Sequence, residues 1–225
     1  MDILAAACMV FFLTHLGISG TPLRSFLHDR LGGNAYLGIY SVVSFLTLGL
    51  MIYGYSEARL ENDFMFVNPS LFILSKVLVF VALLLILVGL MTPNPTAVKG
   101  EDALDDGITG ILKVTRHPIQ WGIFLFVTAH LTANRDKASL LLFGTVAIVS
   151  LVGMFSMDAR RRKETDQRWQ NFMAETSMIP FAAIFAGRQK LMLADIKWSG
   201  LLVGAIVYTL VYYLHGWVSG GVNLI

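Results

Sequence analysis

Histidine is the residue of this chain whose placement points most directly to chemistry. Four of the five histidines lie in or beside long apolar segments, and they are His15, His117, His130 and His215. His28 lies in a charged connection, and we expect it to be solvated. An imidazole inside a bilayer is costly to leave unpaired, so each of the four either bonds to a neighbouring helix or belongs to a functional site. Several of them in one small bundle favour the functional site.

The stretch VTRHPIQWG, residues 114–122, places Arg116 and His117 directly before Pro118 at the start of an apolar run. Pro118 fits the first turn of a helix, where its missing N–H costs nothing. His130 lies on the same predicted helix, thirteen residues after His117. At about 100° per residue the two rings point about 140° apart, and they differ by roughly 20 Å along the axis. At most one of them therefore pairs with His15 across the bundle.

The cofactor that these histidines suit is haem. A single cysteine, Cys8, excludes an internal disulfide and any cysteine-rich metal site, and no CxxCH motif is present for covalent haem attachment. We also expect no carboxylate–histidine cluster in the membrane segments, which argues against a zinc or di-iron site. Two histidines from different helices, in an aromatic and aliphatic bundle, fit the axial positions of a b-type haem.

Arginines near the membrane surface are placed to pair with the propionates of a haem, and they are Arg24, Arg30 and Arg116. Arg116 has a second advantage, because the positive end of the helix that starts at Pro118 also attracts an anion. Its guanidinium adds a forked hydrogen-bond donor. We therefore predict an anion-holding corner at Arg116, outside the helix and at the membrane surface, with a haem propionate as the anion.

The composition of the chain is that of a membrane protein. The chain has 225 residues, of which 56% are hydrophobic and 14% are charged, whereas charged residues make up about a quarter of a typical soluble domain. The charges cluster between long apolar runs, which is typical of an all-α, polytopic membrane helical bundle. The sequence has no phosphate-binding loop and no GxSxG motif, and its charge pattern gives no support to nucleic-acid binding.

Crossing a hydrocarbon layer of ~30 Å takes about 20 apolar residues in a helix. Six segments qualify as candidate spans, and they are residues 3–19, 36–55, 71–91, 118–133, 139–157 and 199–218. The fourth is short and forms a hairpin with the fifth through the turn ANRDK. Glycine, proline and charge in GISGTPLRSFLHDRLGG end the first helix, so we expect a loop there. The pattern predicts one membrane domain over residues 1–225.

The connection 158–198 holds eight lysines and arginines, which places it in the cytoplasm and both chain ends outside. Within it, Trp169 and Phe172 recur at helical spacing among charges, which predicts an amphipathic helix on the bilayer surface. The basic segment 160–168 suits anionic lipid. The acidic connection 92–116 is either a solvated loop or a lid over a cavity. The remaining partner that we expect is a membrane lipid or a lipophilic small molecule.

The stretches FFLTHLGISGTPLR and VTRHPIQWGIFLFVTAHLTANRDKASLLLFG, followed by MDARR, resemble the NnrU family. These integral membrane proteins of bacteria are linked with denitrification, and the family is similar to the haem-dependent 15-cis-zeta-carotene isomerases of plastids. The resemblance implies a multi-pass protein of the bacterial cytoplasmic (inner) membrane. It also implies His15 and His130 as ligands of the haem iron, with His117 as a third histidine of the motif. On membrane depth alone His15 pairs more easily with His117, which stays as the alternative.

The activity that this resemblance implies is redox-gated cis–trans isomerisation of a polyene lipid, or a supporting role in nitrogen-oxide metabolism. The RHP stretch and KETDQRWQNFMAETSMIPF also resemble isoprenylcysteine and phospholipid methyltransferases, although Gln120 stands where a tyrosine is usual. That resemblance implies S-adenosylmethionine near Arg116, His117, Trp121 and Glu164. A third hypothesis is a non-enzymatic helper that assembles or protects a respiratory complex. No residue is identified as catalytic by the sequence.

Overall fold

A computed structural model describes residues 1–18, 20–60 and 69–218 of the chain. These residues form helices joined by turns, with no strand among them, so the predicted all-α fold is confirmed. In chain order the α-helices are α1 (Asp2–Phe12), α2 (Leu23–Leu31), α3 (Gly33–Leu60), α4 (Pro69–Leu90), α5 (Pro118–Ala133), α6 (Lys137–Arg161), α7 (Gln167–Glu175), α8 (Ala182–Phe185) and α9 (Trp198–Val218). Leu13–Ile18 continues α1 as a π-helix, and Glu101–Leu104, Gly110–Lys113 and Leu193–Asp195 are short 3₁₀ turns.

The predicted membrane bundle is confirmed, and each predicted span coincides with a helix. Four helices, α3, α4, α6 and α9, are long and apolar enough to cross a bilayer. The segments Asp2–Ile18 and Leu23–Leu31 form a fifth candidate as a pair bent by 83°. Helix α5 has 16 residues, which is below the 17 to 25 or so that a span takes. The count of six spans is therefore not confirmed.

Helix α2 lies where we expected a loop. Pro22 occupies its N-cap, and the Thr21 hydroxyl accepts a hydrogen bond from the backbone N–H of Leu23 at 3.3 Å. The helix ends at Gly32, whose φ of 79° is a conformation that favours glycine. Proline and glycine thus mark the two ends of a short helix, and the charged residues between them are compatible with an exposed helix.

The chain divides into two compact units, of which the first comprises Met1–Ser75 and Val127–Met157. In this unit α1 packs along α3. Gly54 of α3 lies directly against the backbone of α1. A Cβ added at Gly54 would come within 2.8 Å of the Leu4 nitrogen. Small residues at such crossings let helix backbones approach closely in a membrane. The apolar cluster of this unit, called cluster 1 below, consists of Leu4, Ala7, Cys8, Phe11, Met51, Ala58, Ala138 and Leu142.

The second unit comprises Lys76–Phe126 and Asp158–Ile225. Its helix α7 is present as predicted and begins after Asp166, whose carboxylate accepts a hydrogen bond from the N–H of Arg168 at 2.8 Å. The apolar face that we expected on the bilayer packs instead on the protein. Trp169 and Phe172 are buried against Leu112 of the 92–116 connection. That connection is therefore a folded part of the unit.

The basic segment 160–168 is joined to the same connection by ion pairs. Arg161 contacts Glu101 and stacks over the Trp169 ring at 4.2 Å, and Arg168 pairs with Asp105 at 2.9 Å. The pair of Arg168 and Asp105 is exposed on both sides, and such pairs contribute little stability one by one. Arg161 and Arg168, two of the cations that we expected to face anionic lipid, are thus paired with carboxylates of the protein. Lipid binding at this segment stays a prediction.

The close contact at Gly54 predicts a position-specific effect of one added methyl group. Gly54→Ala should destabilise the solubilised protein by about 1–3 kcal/mol, because its Cβ meets backbone atoms that do not yield. Gly49 on the same helix has no atom within 4 Å of an added Cβ, so Gly49→Ala should be neutral or stabilising. Thermal unfolding of both variants in detergent checks this, and equal melting temperatures would contradict the packing of α1 on α3.

Candidate functional site

The RHP corner, defined here as Arg116, His117 and Pro118, lies at the start of α5 and is buried. The Nε2–H of His117 donates to Oδ1 of Asp158 at 2.7 Å, and an amino group of Arg116 lies 3.4 Å from Oδ2 of the same carboxylate. Arg116, His117 and Asp158 are 7%, 0% and 5% exposed. Burial lowers the pKa of Arg116, and the negative charge of Asp158 opposes that shift.

Asp158 is the residue of this corner that the sequence interpretation missed. His117 and Asp158 lie just outside the predicted spans 118–133 and 139–157, so our expectation of no carboxylate–histidine cluster within the membrane segments does not concern this pair. The carboxylate lies 41 positions after His117, in the last turn of α6, so no local spacing joins the two. The sequence feature that could have indicated the pair is the aspartate itself. A buried carboxylate at the end of an apolar helix needs a partner.

The guanidinium of Arg116 also binds the end of α7. It donates to the carbonyls of Met173 and Thr176, the latter at 2.9 Å. Arg188 donates to the carbonyls of Ala174 and Thr176. The last carbonyls of a helix lack partners within the helix and carry partial negative charge, which favours cations there. The corner thus fixes the C-terminal end of α7.

Backbone and side-chain hydrogen bonds then hold the chain after α7 against the corner. The N–H of Arg116 donates to the Ser177 carbonyl at 2.9 Å. The Thr115 hydroxyl and the Trp121 indole both donate to the Met178 carbonyl, at 2.7 and 2.8 Å. The RHP stretch and the tail around Ser177 and Met178 are therefore held together as one folded element.

The structure places Arg116 differently from our expectation of a surface residue. The anion that it contacts among the described residues is the Asp158 carboxylate. Its role as a partner of a haem propionate stays a prediction. His117 likewise uses one ring nitrogen for Asp158, while its Nδ1 is buried and has no hydrogen-bond partner in the described part of the chain.

His15 lies in the first unit, within the π-helix Leu13–Ile18. Its Nδ1 is 2.8 Å from the Phe11 carbonyl, which only accepts, so the proton is on Nδ1 and Nε2 carries the lone pair. Nε2 faces the hydroxyl oxygen of Ser44 at 3.4 Å, a long contact, while that hydroxyl donates to the Tyr40 carbonyl at 2.8 Å. π-helical turns inside α-helices are rare and occur often at functional sites.

His130 lies in the last turn of α5, also in the first unit. Its ring packs on Phe143 with ring centroids 4.7 Å apart. Phe143 packs against cluster 1, and Phe11 of that cluster stacks on His15 with centroids 3.9 Å apart. The structure thus brings His15 and His130 to the same apolar cluster, whereas it assigns His117 and Arg116 to the second unit.

No group of three or more histidine, cysteine, aspartate or glutamate side chains in the described ranges is close enough to hold a metal ion. A haem requires only axial ligands from the protein, because the porphyrin supplies the other four nitrogens. The donor set of the first unit, with two imidazoles at one apolar cluster, is compatible with that requirement.

The buried pair of Arg116 and Asp158 predicts a large effect of a single truncation. Asp158→Ala should destabilise the protein by about 3–5 kcal/mol, because it leaves the Arg116 charge and the His117 N–H buried without a partner. Asp106 is exposed, so Asp106→Ala should change the stability by about 0.5 kcal/mol at most. Unfolding in detergent measures both, and an Asp158→Ala variant as stable as the wild type would contradict this role of the corner.

Three comparisons with known proteins bear on the chain. A family model described as "NnrU protein" matches residues 3–222. The "15-cis-zeta-carotene isomerase, chloroplastic" of Arabidopsis thaliana is 38% identical over 84 residues, which are 37% of this chain and 23% of the relative. The protein of the same name from Zea mays is 33% identical over 85 residues, with 37% and 23% coverage. The chain thus spans less than a quarter of either relative, and no solved structure matches it.

Proposed function

This chain belongs to the NnrU family, and on that premise we propose that it is a haem-dependent membrane isomerase that turns a cis double bond of a polyene lipid to trans. The support for this activity is its similarity to two zeta-carotene isomerases. The structural observation that carries the proposal is the orientation of His15. The substrate class that we propose is lipophilic, because both relatives are named for a carotene.

The hydrogen bond from Nδ1–H of His15 to the Phe11 carbonyl suits an iron ligand. A metal-bound histidine usually donates its second ring N–H to a carbonyl or carboxylate, which fixes the tautomer and aims the other nitrogen at the metal. His15 would therefore offer Nε2 to the haem iron. His130, at the same apolar cluster, is the second ligand that we propose.

His117 remains the alternative to His130 as the second ligand, although one of its ring nitrogens is already hydrogen-bonded. Its Nε2 is engaged by Asp158, so it would have to use Nδ1. When bound, haem would supply redox-active iron chemistry for a double bond of the polyene. The protein contributes the two imidazoles and the aromatic rings of Phe11 and Phe143, which provide apolar surfaces beside them.

The other functions that the sequence suggested have less support in the structure. A methyltransferase would need Arg116 and His117 at its S-adenosylmethionine site, and both are buried and paired with Asp158. A supporting role in nitrogen-oxide metabolism, or in the assembly of a respiratory complex, rests on the family resemblance alone. We propose the bacterial cytoplasmic membrane as the location, since the chain is a membrane protein of the NnrU family.

The isomerase proposal predicts turnover that depends on haem and on a reductant. Haem-loaded protein in liposomes should convert 15-cis-zeta-carotene, the substrate in the relatives' name, to the trans form after reduction, and chromatography of the extracted pigment measures this. His130→Ala should abolish the conversion. His28→Ala should retain it, because His28 lies on α2 and pairs with the exposed Asp29 at 3.7 Å.

One outcome would contradict the isomerase proposal, and another would contradict the choice of His130 over His117 as the second iron ligand. One is the absence of conversion by reduced, haem-loaded protein under conditions in which the lipid is shown to enter the liposomes. The other is undiminished conversion by His130→Ala protein, which would remove this histidine from the site.

A further inference from the structure

An exposed apolar surface lies on the segment between α7 and α9, outside every predicted span. It consists of Ile179, Phe181, Phe185, Leu191 and Met192 and is called the apolar patch below. Phe185 is 87% exposed, and its ring lies 6.4 Å from that of Phe181. Large apolar side chains that are exposed this close together in the sequence, and outside the predicted spans, are candidates for an interaction with protein or with membrane.

The backbone is strained where the patch begins. Phe181 has a φ of 65°, a left-handed conformation that a bulky residue rarely adopts. It follows Pro180 and is held by a hydrogen bond from its N–H to the Val114 carbonyl at 2.8 Å. Phe181 is the N-cap of the short helix α8, which ends at Phe185. A strained residue persists where its surroundings fix it, as the hydrogen bond to Val114 does here.

Two adjacent residues tether the patch to the start of α9. Val114 holds Phe181, as described. The ammonium of Lys113 donates to the Lys190 carbonyl at 3.4 Å and to the Asp195 carboxylate at 2.8 Å. Helix α9 begins at Trp198, three residues after Asp195, and is apolar enough to span the membrane. The Lys113 contacts therefore hold the segment of the patch near the start of this candidate span.

The residues around the tether fit a membrane–water interface. Trp198 is 64% exposed at the first position of the span, and tryptophan is enriched at this level of a bilayer. Lys190 is exposed next to Leu191 in the sequence, a combination that buries the apolar side chain in lipid while the cation stays near the phosphates. Trp169 and Phe172, which we had expected to face lipid, are covered by the protein.

We propose that the apolar patch inserts into the headgroup region of the bilayer beside the entry of α9. It would anchor the second unit to the leaflet through Phe181 and Phe185, with Lys190 at the phosphate level. This inference does not depend on the isomerase proposal, because it rests on the tether and on the exposed rings alone.

Spin labelling at two matched positions tests the insertion. Phe185→Cys and Asp102→Cys proteins carry a nitroxide in liposomes of phosphatidylcholine and phosphatidylglycerol. Cys8 is buried, 2% exposed, so labelled wild-type protein gives the background. The label at 185 should collide more with oxygen, which concentrates in lipid, than with a water-soluble nickel chelate. The label at 102, on an exposed acidic turn, should show the reverse order.

Two results would overturn the proposal. If the label at 185 is as accessible to the nickel chelate as the label at 102, the patch lies in water. If it is immobilised and shielded from both reagents, a protein surface covers the patch, such as a second copy of the chain. A third variant tests the tether. In Lys113→Met protein the label at 185 should become more mobile and lose its excess of oxygen collisions, and an unchanged spectrum would reject the tether.

Discussion

A buried guanidinium requires a buried partner of opposite charge. Arg116 pairs with the carboxylate of Asp158, and the second unit is arranged around this ion pair. Moving either charge alone out of water costs several kcal/mol, so the pair is stable only as a pair. The same guanidinium binds the last carbonyls of α7, and the residues next to it hold the chain that follows. One ion pair therefore joins the start of α5, the end of α6 and the end of α7.

This arrangement separates two kinds of histidine that look alike in the sequence. His117 is fully buried and donates to Asp158, which makes it part of the ion-pair network. His15 donates to a backbone carbonyl in a π-helical turn and keeps Nε2 as a lone-pair donor beside an apolar cluster. The first geometry stabilises a fold, whereas the second leaves a ring nitrogen that suits the iron ligand that we propose. The motif that is most conspicuous in the sequence is thus not the one that we propose for catalysis.

Hydropathy and helix-end rules predict the helices well, because both act within about 20 residues. They place α5 at Pro118 and the amphipathic α7 around Trp169. They fail where the partner is distant in sequence. Asp158 is 41 positions from His117, and the apolar side of α7 meets Leu112 rather than lipid. Helix α2 was missed for a local reason, since Pro22 and Gly32 were interpreted as breaks and are the two ends of a helix.

The most direct test of this account is the optical absorption spectrum of purified protein and of three histidine variants. The account predicts a non-covalent b-type haem with a low-spin spectrum in the wild type and in His117→Gln protein, whose amide can still donate to Asp158. His15→Ala and His130→Ala should each lose haem or shift it to high spin. A colourless wild type that also binds no added haem would contradict the account, as would haem that is lost with His117 and kept without His130.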